Sequence, residues 1–243
     1  MDLKQCEKTA RKILKTDVMY PDWTLTGKRE LYIADKIIPL MPWRFSRRLE
    51  TIHELIYQDE AVKNLCSYKS IRIDHSGADL KELLYGELDT CEWLVGEKIS
   101  YIFAVQNQDC ALLAVAGMNS GVTGTIELAA TLSMESVPVT HHEIIAVEGI
   151  ITDRSINEQV PVEPVYLYTN NKKEPDGFTD MDISMYGLSP DEIEIVENTV
   201  FLLKKQDEHD LWQQRHKRLC YLTDCAFRSA KSGEKIYMEV DKL

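Results

Sequence analysis

The chain has 243 residues, 44% of them hydrophobic, and carries 28 Lys plus Arg against 40 Asp plus Glu, for a formal net charge of -12. Such a length can bury a sizeable core, while such a charge repels phosphate and so argues against nucleic acid or an anionic membrane as partner. No apolar run approaches the roughly eighteen residues of a membrane span, and the charged N-terminus MDLKQCEKTARK is unlike a signal peptide; the expectation is a cytoplasmic protein.

Residues 1–29 read as an N-terminal helix and connector. Asp2 with Gln5 three positions on makes a capping pattern, and Cys6, Ala10, Ile13 and Leu14 are predicted to face inward. The helix should end before Tyr20-Pro21. Glu30 to Leu40 reads as one strand bearing Leu31, Ile33, Ile37 and Ile38, stopped by Pro39 and Pro42. Beyond Arg44, Arg47 and Arg48 lies a helical stripe of Leu49, Ile52, Leu55 and Ile56, then a short helical piece over 59–65 and a strand from Tyr68 to Ile73.

The stretch Asp74 to Gly96, DHSGADLKELLYGELDTCEWLVG, is the most informative. Read as a helix from about Ala78, it lines up Leu80, Leu84, Leu88, Cys91 and Val95 as a buried face. The opposite stripe carries Glu82, Gly86, Asp89 and Trp93. Two carboxylates, a residue without a side chain between them and an indole N–H make a wall for a polar ligand; the alternative is a solvated face whose acids only keep the helix wet.

From Lys98 the pattern turns to strands, at 99–105, 111–116, 123–131, 143–152 and 164–169, with turn signals between them. Short connections imply antiparallel pairing. Gly117, Gly121 and Gly124 fit a hairpin turn and no phosphate-binding motif. His141 and His142 are adjacent, so on a strand they point to opposite faces and cannot ligate one ion together. No Cys-x-x-Cys pair exists among the six cysteines, which read as small hydrophobes rather than a metal or redox centre. The polar stretch Asn170 to Tyr186 reads as a surface excursion, a solvated loop or a lid. Ser189, Pro190 and Glu192 then open a helix with Ile193, Val196, Val200 and Leu203 on one face. A last helix, roughly 208–231, is predicted to bury Leu211, Leu219, Leu222, Ala226 and Ala230, with Gly233 as its cap and a short alternating strand Ile236, Met238, Val240 after it. The fold class is therefore α+β: an open, mainly antiparallel sheet with helices on one face and the other face free for association.

Gly77, Asp89, Trp93, Leu94 and Gly96 stand in the register of a motif in the second domain of the Gfo/Idh/MocA family of sugar-type oxidoreductases, glycine followed by Asp-x-x-x-His-x-x-Asp and then Trp-Leu-x-Gly. The central stretch resembles that motif, and AFRSAKSGEKIYM (226–238) is similar to the family's closing helix and strand. Glu82 stands at the family's active-site Asp and keeps the charge. Gly86 stands at its His and moves no proton. The resemblance implies that residues 30–243 form the substrate and oligomerisation domain, with subunits associating through the sheet face. It also implies Glu82 as the catalytic-site carboxylate and Asp89, Arg44 and Trp93 as contacts to a sugar or polyol. The family's Rossmann half, with Gly-x-Gly-x-x-Gly and a Glu-Lys-Pro segment, has no counterpart here.

Three readings follow. In the first, this is a substrate and oligomerisation domain that binds no cofactor alone and meets NAD(P) only through a separate nucleotide-binding subunit. In the second, a non-catalytic descendant binds a polyol or another subunit. In the third, the resemblance is set aside and Glu82 with Asp89, about 10 Å apart along one helix, form the acid–base pair of a different enzyme.

Overall fold

The computed structural model describes residues 1–14, 23–26, 29–33, 35–59, 62–154, 164–178 and 187–238. Two compact units emerge, one from residues 1–50 and 180–217, the other from 51–179 and 218–243.

In the first unit, helix α1 (Leu3–Leu14) starts as expected, the Asp2 carboxylate accepting from the backbone N–H of Lys4 and Gln5 at 3.0 and 3.2 Å. It buries Cys6, Thr9, Ala10 and Leu14, whereas Ile13, predicted inward, is 39% exposed. The single strand expected over Glu30 to Leu40 is instead two. Strands β1 (Trp23–Thr26), β2 (Glu30–Ile33) and β3 (Lys36–Pro39) form an antiparallel sheet in that order. Asp35 has φ 67°, and that left-handed turn reverses the chain where alternation alone suggested continuation. After a 3-10 turn at Pro42–Phe45 comes helix α2 (Arg47–Gln58), with Leu49, Ile52 and Ile56 buried. The helical piece read over 59–65 lies partly outside the described residues, and Leu65 already belongs to the next strand.

The second unit is built on a nine-stranded sheet. Its strands are β4 (Leu65–His75), β5 (Ile99–Asn107), β6 (Ala111–Met118), β7 (Thr123–Leu132), β8 (Val139–Ala146), β9 (Gly149–Thr152), β10 (Val165–Thr169), β11 (Asp176–Phe178) and β12 (Ile236–Tyr237). The order is β11-β10-β9-β8-β4-β7-β6-β5-β12. The strand read over 143–152 proves to be the β8–β9 hairpin. β4 inserts between β7 and β8, parallel to the former and antiparallel to the latter, so two strands that are neighbours in sequence do not pair.

Helix α3 (Leu80–Val95) packs on β4 and β7. Asp79 caps its start, accepting from the Lys81 N–H at 2.8 Å, and Gly96 ends it at φ 75°. Gly124 sets how closely the helix approaches: a Cβ there would lie 2.7 Å from the Cys91 Sγ. The covered face of the sheet holds Ile102, Ala104, Leu112, Ala114, Ala116, Ile126, Leu128 and Ile144, none more than 3% exposed. The other face carries the Lys69–Glu127 ion pair together with Val105 and Leu113, 51% and 41% exposed.

Helix α4 (Pro190–Lys204) has the complete capping box of Ser189 and Glu192, but its buried face is Ile195, Val196, Asn198, Thr199, Leu202 and Leu203 rather than the stripe through Ile193 and Val200. Helix α5 (His209–Ser232) buries Leu219, Leu222 and Ala226 and leaves Leu211, predicted inward, 58% exposed. Arg218 fastens α5 to α3: its Nε donates to both Glu92 carboxylate oxygens at 3.1 and 3.0 Å, while the Ile99 N–H reaches the same carboxylate at 2.7 Å. All six cysteines are free; Cys6, Cys91 and Cys225 are buried as expected, but Cys66 and Cys220 are exposed.

Candidate functional site

The first turn of α3 puts Glu82 in solvent. One and two turns further on, the same side of the helix is closed, with Gly86 buried and Asp89 fully so. Asp89 is not free, and without exposed surface it cannot share a water-filled cleft with Glu82 as an inverting pair must. Trp93, half-buried, stacks on His53 of α2 with ring centroids 4.8 Å apart and planes at 24°. Arg44 stands in the first unit, its guanidinium 5.9 Å from the centre of the Trp212 ring. A groove of about 530 Å³ borders α3 at Lys81 and is otherwise lined by α5, through Tyr221, Asp224, Phe227, Arg228 and Lys231. Neither Glu82 nor Asp89 lines it.

The residue the sequence reading passed over is Glu87. It lies seven positions after Leu80, on the buried stripe itself, and is 3% exposed. A carboxylate is almost never so deeply buried unless paired, and this one has partners from two strands. His142, 2% exposed on β8, directs Nε2 to the Glu87 Oε2 at 3.3 Å and Nδ1 to the Asp153 Oδ2 at 2.8 Å. Asp153, one residue beyond β9, also accepts the His142 backbone N–H through Oδ1 at 2.5 Å and donates its own N–H to the His142 carbonyl at 3.2 Å. From β4, the Tyr68 hydroxyl donates to the Glu87 Oε2 at 3.4 Å, and Arg72 stands 3.6 Å from the Oε1 and 3.8 Å from Asp74.

Ionised carboxylates only accept hydrogen bonds, and His142 presents one ring nitrogen to each of two of them. Both nitrogens must therefore donate, which makes the ring an imidazolium. Burial by itself would pull its pKa down; the charge and hydrogen bond of Asp153, joined by those of Glu87, outweigh it and raise the value to about 9. For Glu87, burial pushes upward, but the hydrogen bond and charge of His142 with the charge of Arg72 leave its carboxyl below the usual value. Burial, reinforced by the Glu87 charge, keeps the Tyr68 phenol well above its ordinary value. Held this way, His142 has no lone pair with which to accept a substrate proton. Alternation along β8 predicted that His141 and His142 would part company, and they do; what it lacked was the acid on the facing helix. Among the described residues no cluster of three or more His, Cys, Asp or Glu has the geometry to hold a metal ion, and no helix is long and apolar enough to cross a membrane.

No protein-family model and no curated protein sequence matches the chain. Solved structures do match it in fold. An oxidoreductase from Thermotoga maritima superposes with a TM-score of 0.64 at 12% identity, over 83% of this chain and 63% of its own. GenD2 from gentamicin A biosynthesis, solved in complex with NAD, gives 0.63 at 15% identity over 82% and 63%, and levoglucosan dehydrogenase, solved with NADH and levoglucosan, gives 0.63 at 13% over 82% and 65%. The fold neighbours are oxidoreductases. This chain spans a little under two thirds of their length.

Proposed function

We propose that this chain supplies the substrate-side and association domain of a sugar-type oxidoreductase system, with NAD(P) held by a separate nucleotide-binding subunit. The observation that carries the reading is the extent of the shared fold, which takes in over four fifths of this chain but under two thirds of neighbours solved with NAD or NADH. Among the described residues a single pair of strands, β4 and β7, runs parallel, whereas a dinucleotide-binding half is built on a mostly parallel sheet with a glycine-rich first turn. In this reading Glu82 is the carboxylate that meets the sugar or polyol, while Asp89 and Trp93 set α3 in place.

Calorimetry on the isolated chain should give no saturable binding of NAD(H) or NADP(H), and a complex with a Rossmann-type subunit should bind them. A micromolar dissociation constant for the chain alone would refute the division of labour. In that complex Glu82→Gln should weaken polyol binding by roughly tenfold or more.

A second reading, a non-catalytic descendant that binds a polyol or a subunit, is favoured by Gly86 together with the closed state of His142. The complex would then bind polyol without changing nicotinamide absorbance, whereas hydride transfer would exclude it.

A further inference from the structure

The Glu87–His142–Asp153 cluster joins helix α3 to the β8–β9 hairpin, Glu87 and His142 being 55 positions apart in the chain. Glu87 belongs to α3, His142 to β8, and Asp153 to the end of β9. We propose that His142 is a proton-loaded latch: as an imidazolium donating to Glu87 and Asp153 it fastens α3 and the end of β9 to β8, and loss of that proton frees the β8–β9 hairpin from the helix.

The geometry carries the argument. A neutral imidazole has one N–H, so it must turn a lone pair toward one of two carboxylate oxygens 2.8 and 3.3 Å away, in a pocket where no exposed surface lets water intervene. That arrangement repels, and the weaker contact breaks. The longer one, to Glu87, is the weaker, because Asp153 is also tied to the His142 backbone in both directions. Deprotonation therefore parts strand from helix and leaves the β8–β9 hairpin intact.

The groups facing His142 do not supply a substitute cation for that contact. From β4 come Tyr68, whose ring centre is 6.3 Å away, and Arg72, which already stands against both Glu87 and Asp74. From α3 comes Glu87, and from beyond β9 comes Asp153. The neighbours of His142 on its own strand, His141 and Glu143, alternate to the opposite face of the sheet. A raised pKa of about 9 for His142 agrees with the latch being closed throughout the neutral range. The inference is independent of the proposed function, since it concerns only how this unit is held.

Two measurements on the unmodified full chain test it. Ring-nitrogen NMR should find His142 doubly protonated at pH 7.5 and titrating with a midpoint near 9; a single-tautomer neutral ring at pH 7.5 would overturn the proposal. Hydrogen exchange, read as the protection of β8–β9 amides relative to that of β5–β6 so that the intrinsic pH effect cancels, should fall by about tenfold or more between pH 7 and pH 10. An unchanged ratio would equally overturn it. Glu87→Gln removes one charge and keeps the shape, and it should lower the His142 midpoint by about one unit or more; an unmoved midpoint would show that Glu87 is no part of the latch. If that variant does not fold, the two measurements on the unmodified chain still decide.

Discussion

Glu87 and Glu82 sit on one helix, five residues apart, and chemistry treats them differently because α3 turns one to solvent and one to His142. The buried member is the one whose charge matters for stability. A histidine whose folded pKa lies above its unfolded value of about 6.5 contributes fully below that value and loses its contribution as pH rises through the folded pKa. His142 should therefore withdraw on the order of 3 kcal/mol between pH 6.5 and pH 9. Glu87 has the opposite sign, its lowered pKa giving a contribution that is present above the ordinary carboxylate range and lost as pH falls through it. Urea unfolding across pH should thus show a maximum near pH 5 to 6.5, and a curve that climbs from pH 7 to pH 9 would contradict the assignment. The Arg218–Glu92 pair offers a second residue-scale test. Glu92→Ala strands a guanidinium that is 11% exposed, and a loss of about 3–5 kcal/mol is expected in chemical denaturation.

At the scale of elements, what each helix buries follows from what it meets. The sequence pattern of α4 admits more than one apolar stripe, and the chosen one includes Asn198 because its Oδ1 accepts the Met41 N–H at 2.7 Å. Its start needed no such partner, since Ser189 and Glu192 close the capping box between themselves, with Pro190 at the first helical position. Ser189→Ala should cost about 1 kcal/mol, seen as a lowered midpoint with unchanged slope in urea. The contact of α3 on β7 depends on a missing side chain. Gly124→Ala pushes a methyl group against the Cys91 Sγ and should cost about 1–3 kcal/mol, visible as a lowered Tm.

For the whole molecule, the nine-stranded sheet has one face covered by α3 and one face where Val105 and Leu113 are exposed beside polar pairs. We expect copies of the chain to associate through that open face. Sedimentation should find a species larger than a monomer, and placing charges there with Val105→Asp and Leu113→Asp should return it to a monomer; a strict monomer at high micromolar concentration would count against the interface. The strand order gives this face its breadth, and it was the least legible feature of the chain. Placing β4 between β7 and β8 joins residues roughly sixty to eighty positions apart, and no local pattern records such partners.

The amino-acid sequence alone determined what local physics can settle. Asp2, Ser189 and Gly233 mark helix ends because caps are satisfied within a few residues, and turn signals between runs of strand-forming residues located the strands of the central meander. Only the tertiary structure decided which of the four acids on α3 are buried, that Asp35 turns a supposed single strand into a hairpin, and that His142 stands between two carboxylates. Those outcomes depend on groups distant in sequence meeting where water is excluded, and the free energy of such a meeting belongs to the pair and to neither residue alone.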